Sequence, residues 1–342
     1  MVKKDFQQAI SDIRAGDFAA IYVVHGTEKY LSEWFNRVLQ QSVVSDEDEM
    51  NIMHFDMTET LLSEAMLEAN SLPFFGDKRL VIVDQPYFLT GAKPKQSLEH
   101  NIKELEQYIE QPLDSTVLVF NAPYEKLDGR KKVVKQLNKQ AVVVDVQPMQ
   151  ERDVRQFVKQ HIQNDRYQVT PEALETLLVL CQMDLSRIMG ELNKLYIAGI
   201  NDYKITKPMV EELVAKSLEQ NVFDLITYVM KKQPNEALKL YEELLLQGEE
   251  TIKMNAILIG HVRLLIQVNV MQQKHYQQPN MVDVLKVHPY RIKLAQQEAR
   301  RMSLGFLMNL YDELVENDYR MKTGQMDKEL LFQLFILKFS QK

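Results

Sequence analysis

From the N-terminus to about Val144, short apolar runs alternate with longer segments in which apolar residues recur every three or four positions. The runs Ala20 to Val24, Arg79 to Val83, Thr116 to Phe120 and Ala141 to Val144 are rich in β-branched residues and predict buried strands. Between them, Leu61, Leu62, Ala65, Met66 and Ala69 share one helical face, as do Ile102, Leu105, Tyr108 and Ile109. Strands alternating with helices predict a mostly parallel sheet covered on both faces. From about Met149 the strands stop and helical periodicity continues to the end. Thr170 with Pro171 opens one helix, and Asp184 caps the next, whose face is Leu185, Ile188, Met189, Leu192, Leu195 and Tyr196 and whose end lies near Gly199. A second helical block starts near Ser217. In it Pro234 opens a helix carrying Ala237, Leu240, Tyr241, Leu244 and Leu245, with Gly248 just past its end. Later faces are Leu307, Leu310, Tyr311 and Leu314, then Leu330, Leu331, Leu334, Phe335 and Phe339, and the polar stretch Gln272 to Asn280 reads as a loop. The expected fold class is therefore α/β followed by all-α.

One junction breaks the usual economy of a surface turn. In SLPFFGDKRLVIVD, Ser71 to Asp84, two phenylalanines stand between a helix and a strand, where small polar residues are the norm. Pro73 cannot continue the helix and biases Leu72 away from helical dihedrals, so the helix ends near Ser71 and Leu72 to Phe75 protrude as an apolar knuckle. Two readings stand at this point: Phe74 and Phe75 fold back into the core, or a partner covers them.

Composition narrows the function classes. The 342 residues, with 45% hydrophobic, 26% charged and only 11 Gly and 11 Pro, describe a helix-rich globular chain of two or three domains. A formal net charge of −7 tells against a chain that grips nucleic acid by its own phosphate contacts. The single cysteine, Cys181, rules out an intrachain disulfide and a multi-cysteine metal site, and it sits on an apolar helix as a small core residue. The N-terminus carries no apolar signal segment and no apolar run reaches the roughly 18 residues of a membrane span, so a cytoplasmic protein without membrane contact is expected.

The chemistry of a nucleotide hydrolase is outlined and then missing. Ile21 to Trp34 has the strand, glycine turn and helix of a phosphate loop, but Gly26 stands alone and Lys29 and Ser32 are wrongly spaced for G-x-x-x-x-G-K-[ST]. Asp84 and Asn121 close their strands where a magnesium carboxylate and a polar sensor would stand, and Gln85 follows Asp84 where a carboxylate base is needed. The seven histidines are scattered, without H-E-x-x-H, so no metal site, cofactor or catalytic residue is expected. Two basic stretches, Lys126 to Lys139 and His288 to Met302, read as solvated helix faces, with contact to a partner or to DNA as the alternative.

The order and spacing of several segments resemble the delta-subunit family of the bacterial DNA polymerase III clamp loader, Gram-positive type. They are IYVVHGTEKYL, SLPFFGDKRLVIV, KLDGRKKVVKQL, DLSRIMGELNKLYIAG, NVFDLITYVM and the region of Tyr319, Lys322 and Gly324. The resemblance implies an AAA+-like domain without a working P-loop at 1–147, a helical lid at 148–216 and a helical collar for oligomerisation at 217–342. It further implies a non-catalytic subunit of the DNA polymerase III holoenzyme that binds and opens the ring-shaped beta sliding clamp for loading on primed DNA. Its partners would be the clamp, the tau/gamma and delta-prime subunits through the collar, and primer-template DNA within the assembled complex. The clamp-binding projection maps to Leu72, Pro73, Phe74 and Phe75, with Phe74 paired to either Leu72 or Pro73. Arg187 occupies the place of a nucleotide-sensing arginine and is expected to pair with Glu191. A degenerate ATPase, or a helical scaffold in another replication assembly, is the alternative function.

Overall fold

The computed structural model describes residues 2–43, 49–74, 76–91 and 98–341. The chain divides into two compact units, Met1–Met149 and Gln150–Lys342. The first contains six strands, β1 (Val2–Lys4), β2 (Ile21–His25), β3 (Ile52–Asp56), β4 (Arg79–Asp84), β5 (Thr116–Ala122) and β6 (Val142–Asp145). Its helices are α1 (Phe6–Arg14), α2 (Lys29–Val43), α3 (Leu62–Ala69), α4 (Ile102–Glu110) and α5 (Lys132–Gln140). The strands lie in the order β1-β6-β2-β5-β4-β3, every pairing parallel.

The inner strands are those the apolar runs predict, because a parallel strand covered on both faces must be apolar at consecutive positions. On one face Val81, Val83, Leu118 and Phe120 pack with Leu62, Ala65, Met66 and Ala69 of α3, Leu105 and Ile109 of α4, and Val133 and Leu137 of α5. The edge strands β1 and β3 were not predicted. In β3 every residue keeps some solvent contact, so Ile52 to Asp56 never forms a continuous apolar run. Leu61 also departs from its expected face: it is the residue before α3 and is 40% exposed.

The second unit is helical, with one correction to the expectation that strands stop at Met149. Helices α6 (Glu151–Asn164), α7 (Pro171–Leu180), α8 (Leu185–Ala198) and α9 (Lys207–Leu213) are accompanied by a two-residue parallel ladder, β7 (Gln168–Val169) with β8 (Lys204–Ile205). Pairs this short carry no periodicity to read. Both predicted caps are present: Thr170 accepts the Ala173 N–H at 3.2 Å and Asp184 accepts the Arg187 N–H at 2.9 Å. Cys181 is fully buried, and burial pushes its thiol up to about 12, which leaves it a poor nucleophile.

The remaining helices are α10 (Leu218–Met230), α11 (Pro234–Leu246), α12 (Thr251–Gln273), α13 (Gln278–Leu285), α14 (Pro289–Ala299), α15 (Leu304–Lys322) and α16 (Lys328–Gln341). By length and hydropathy α12 could cross a membrane, yet its Met254, Leu258, Val262, Leu265 and Val268 sit in the core that α10 to α16 share. Two buried asparagines on α12 reach neighbouring helices: Asn255 donates to the Leu314 carbonyl at 3.1 Å and Asn269 to the Ala299 carbonyl at 3.1 Å. The expected face of α16 needs revision. Leu331, Phe332, Phe335, Ile336 and Phe339 are buried, whereas Leu330 and Leu334 are each 47% exposed. Leu337, one turn on from Leu334, is exposed as well, so the outer side of α16 bears an apolar stripe at helical spacing.

Candidate functional site

Helix α3 ends as Pro73 requires. Its last carbonyls are taken by side chains, with Asn70 Nδ2 donating to the Met66 carbonyl at 2.8 Å and Ser71 Oγ to the Leu67 carbonyl at 2.8 Å. Leu72 then stands 72% exposed and Phe74 59% exposed, while Pro73 between them is half-buried. The reading in which Phe74 belongs to the core is therefore overturned. Phe75 lies outside the described residues. Leu67, 69% exposed on the outer side of α3, extends the apolar surface; the sequence signal for it was a leucine off the helix's buried face.

The knuckle rests on polar groups. The Phe74 N–H donates to Asn51 Oδ1 at 2.8 Å, and Asn51 itself is fully buried. Arg79, the first residue of β4 and only 2% exposed, ion-pairs with the Glu68 carboxylate and places its guanidinium carbon 5.2 Å from the centre of the Phe74 ring. Gly76 follows at φ +68°, the left-handed conformation that turns the chain into β4 and that glycine adopts without strain. Neither Asn51 nor Arg79 was singled out by sequence. Arg79 counted only as the polar start of a strand, and Asn51 sits far away along the chain.

The Gly26 turn behaves differently. Gly26 has φ +146°, and a Cβ there would come within 2.2 Å of the Val146 backbone. The Gly26 N–H donates to the Ala122 carbonyl at 3.1 Å and the Glu28 N–H to the Val146 carbonyl at 2.9 Å. Amides that would converge on a phosphate are thus committed to the chain's own carbonyls. Lys29 is exposed and lies 3.4 Å from Glu33, one helical turn along. Asp84 and Asn121 do meet, being in register on adjacent strands, with Asn121 Nδ2 donating to Asp84 Oδ1 at 2.7 Å. Burial pushes the Asp84 carboxyl up, but the His54 ring at 3.9 Å and the Asn121 amide outweigh it and hold it below its ordinary value. Glu28, Glu33, Asp56 and Asp84 make the depression at this turn acidic, which repels a polyphosphate.

Several cations of the basic stretches are held in local contacts, and Arg187 is not. Arg130 pairs with Asp128 at 2.9 Å, Lys132 with Glu106 at 2.8 Å, and Lys131 donates to the Phe88 carbonyl at 2.7 Å. In the second stretch Lys293 pairs with Glu151 at 2.6 Å and Arg291 with Glu219 at 3.5 Å. The expected Arg187 to Glu191 pair is not formed; Lys194 takes Glu191 at 2.5 Å, and Arg187 lines a groove of about 970 Å³ together with Lys253, Lys286, His288 and Arg291. Among the described residues, no group of three or more histidine, cysteine or carboxylate side chains is placed to hold a metal ion.

A parallel sheet whose glycine turn is closed by its own backbone and whose edge bears an exposed apolar knuckle, in one chain with a helical unit, defines an α/β plus all-α protein whose exposed apolar surface, and not a phosphate loop, is the candidate site. Comparison with known proteins makes the assignment particular. A family model described as "DNA polymerase III, delta subunit" matches residues 22–147, and one described as "DNA polymerase III delta subunit, C-terminal domain" matches residues 219–339. The DNA polymerase III subunit delta of Bacillus subtilis (strain 168) is 38% identical over 327 residues, covering 95% of this chain and 94% of that one. A probable DNA polymerase III subunit delta of Aquifex aeolicus (strain VF5) is 24% identical, covering 74% and 72%. The solved structure of the Bacillus subtilis DNA clamp loader delta protein (YqeN) superposes with a TM-score of 0.83 at 38% identity, covering 98% of this chain and all of that one. The chain belongs to the DNA polymerase III delta-subunit family, a clamp-loader component of bacterial DNA replication.

Proposed function

We propose that this chain binds the ring-shaped beta sliding clamp through Leu72, Pro73 and Phe74, with Phe75 as a further contact, and opens one clamp interface so that the ring can be loaded on primed DNA. The observation that carries the reading is the exposure of Leu72 and Phe74 at the end of α3, where Phe74 is held in water by the buried Asn51 and Arg79. Exposed apolar side chains clustered on one turn mark a protein-binding surface. Such a subunit works by binding: a surface that fits only the opened interface shifts the clamp's population by its differential affinity. Energy then enters through ATP bound by other subunits, and the chain itself is not an enzyme. The occupied amides at Gly26 and the acidic depression beside them favour this over a degenerate ATPase.

In the same reading the lid spans 148–216 and the collar 217–342, where the interval between the two family matches supports the division. The collar joins tau/gamma and delta-prime, and the exposed leucines of α16 offer an apolar contact surface for that assembly. The assembled complex holds primer-template DNA in the cytoplasm. The deciding experiment pairs Phe74→Ala and Leu72→Ala with two measurements, unfolding in urea and binding to purified clamp. Unchanged unfolding with lost clamp affinity supports the reading. A large loss of stability, or wild-type affinity in a folded double variant, overturns it.

A further inference from the structure

We infer that Asn51 and Arg79 are positioning residues for clamp recognition, holding Phe74 in its binding pose before the clamp arrives. The inference rests on the knuckle being the docking element and deepens that reading. Phe74 is 59% exposed, so packing alone cannot fix it, and residues 72 to 74 lie outside any helix or strand. An apolar turn held only by its neighbours would sample many conformations, and ordering it on contact would subtract from affinity.

Two directional contacts restrain Phe74, one on its backbone and one on its ring. Asn51 closes the short helical turn Glu49–Asn51 that leads into the edge strand β3, and it is fully buried there. By accepting the Phe74 N–H at 2.8 Å it sets the backbone at the tip of the turn. Arg79 opens β4, and its main chain is anchored where its N–H donates to the Ser115 carbonyl at 2.8 Å. The guanidinium bridges Glu68 on α3 and the face of the Phe74 ring, and so ties the helix before the knuckle to the strand after it. Burying an arginine is costly unless it is paired. A fold that needed only stability would be served by an apolar residue at this strand start, whereas a planar cation beneath an exposed ring fixes the ring's plane.

The test uses the full-length chain and purified sliding clamp, with association and dissociation followed separately by surface plasmon resonance. Asn51→Ala and Arg79→Lys each are expected to slow association about 3- to 10-fold with little change in dissociation, because the binding-competent pose is less populated. Arg79→Lys retains a cation for Glu68 but loses the flat contact with the ring. In a Phe74→Ala background Arg79→Lys is expected to add no further loss, the non-additivity of residues that act through one another. Without the clamp, hydrogen exchange at the Phe74 amide is expected to accelerate in Asn51→Ala, a readout that holds even where binding is too weak to measure. Wild-type association in both variants, or an equal loss from Arg79→Lys with and without the Phe74 ring, would overturn the positioning role. Wild-type binding by Phe74→Ala would instead remove the docking reading on which it rests.

Discussion

The Gly26 turn and the Leu72 to Phe74 turn belong to the same sheet unit and solve opposite problems. At Gly26 the backbone is drawn inward, its amides bonded to Ala122 and Val146 and its one small residue filled against the chain itself. At the knuckle the backbone is held by Asn51 while the side chains are pushed outward. One turn keeps the geometry of a ligand loop after its donors are committed elsewhere. The other exposes apolar residues that a turn normally avoids. Glycine at a strand-to-helix turn is thus evidence of tight packing before it is evidence of phosphate binding, and apolar residues at a helix-to-strand turn point to a partner only once their exposure is known.

Four measurements put that contrast to the test. The largest effect is expected at Gly26, where Gly26→Ala forces a Cβ into the Val146 backbone at a positive φ; a loss of roughly 3 kcal/mol or more in urea unfolding is expected. A milder loss would mean that the Val146 segment yields and the turn is less closed than its hydrogen bonds indicate. Next, Phe74→Ala is expected to weaken clamp binding by roughly 1.5 to 3 kcal/mol, about 10- to 150-fold, with unfolding changed by less than about 1 kcal/mol. Equilibrium dialysis with ATP gives the third: no saturable micromolar binding is expected, and Lys29→Ala, which removes only an exposed pair, is expected to shift stability by no more than about 0.5 kcal/mol. ATP binding abolished by that substitution would restore the enzyme reading.

The smallest effect is a pH dependence at Asp84. Its folded value lies below the ordinary 3.8, so its ionised form stabilises the folded state above that value, and the contribution is lost as pH falls through the lowered folded value. Asp84→Asn is therefore expected to be less stable than wild type at neutral pH, with the gap closing in acid below the ordinary value. A gap that stayed constant across this range would mean that the carboxylate does not interact with His54 and Asn121 as a charge.

The inner strands were legible because burial on both faces writes β-branched residues at successive positions, as in Leu80 to Val83 and Val117 to Phe120. The edge strands β1 and β3 were not, since a half-exposed strand such as Ile52 to Asp56 mixes histidine and aspartate into its pattern. Pro73 announced the knuckle, and its exposure agrees with the steric argument. Its supports could not be read. Asn51 reaches Phe74 from 23 residues away and Arg79 reaches Glu68 across 11, and neither separation has a local signature. On α16 the error was one of phase: Leu330 and Leu331 are neighbours in sequence but 100° apart around the helix, and only packing shows which of them faces in.

The two asparagines of α12 carry a consequence for how the bundle meets other chains. Apolar helices packed side by side are free to creep along their axes, since one leucine replaces another at little cost. Asn255 and Asn269 remove that freedom, because a slip of one helical turn, about 5.4 Å, would strand two buried amides away from the carbonyls of Leu314 and Ala299. The bundle therefore has a set height as well as a set cross-section.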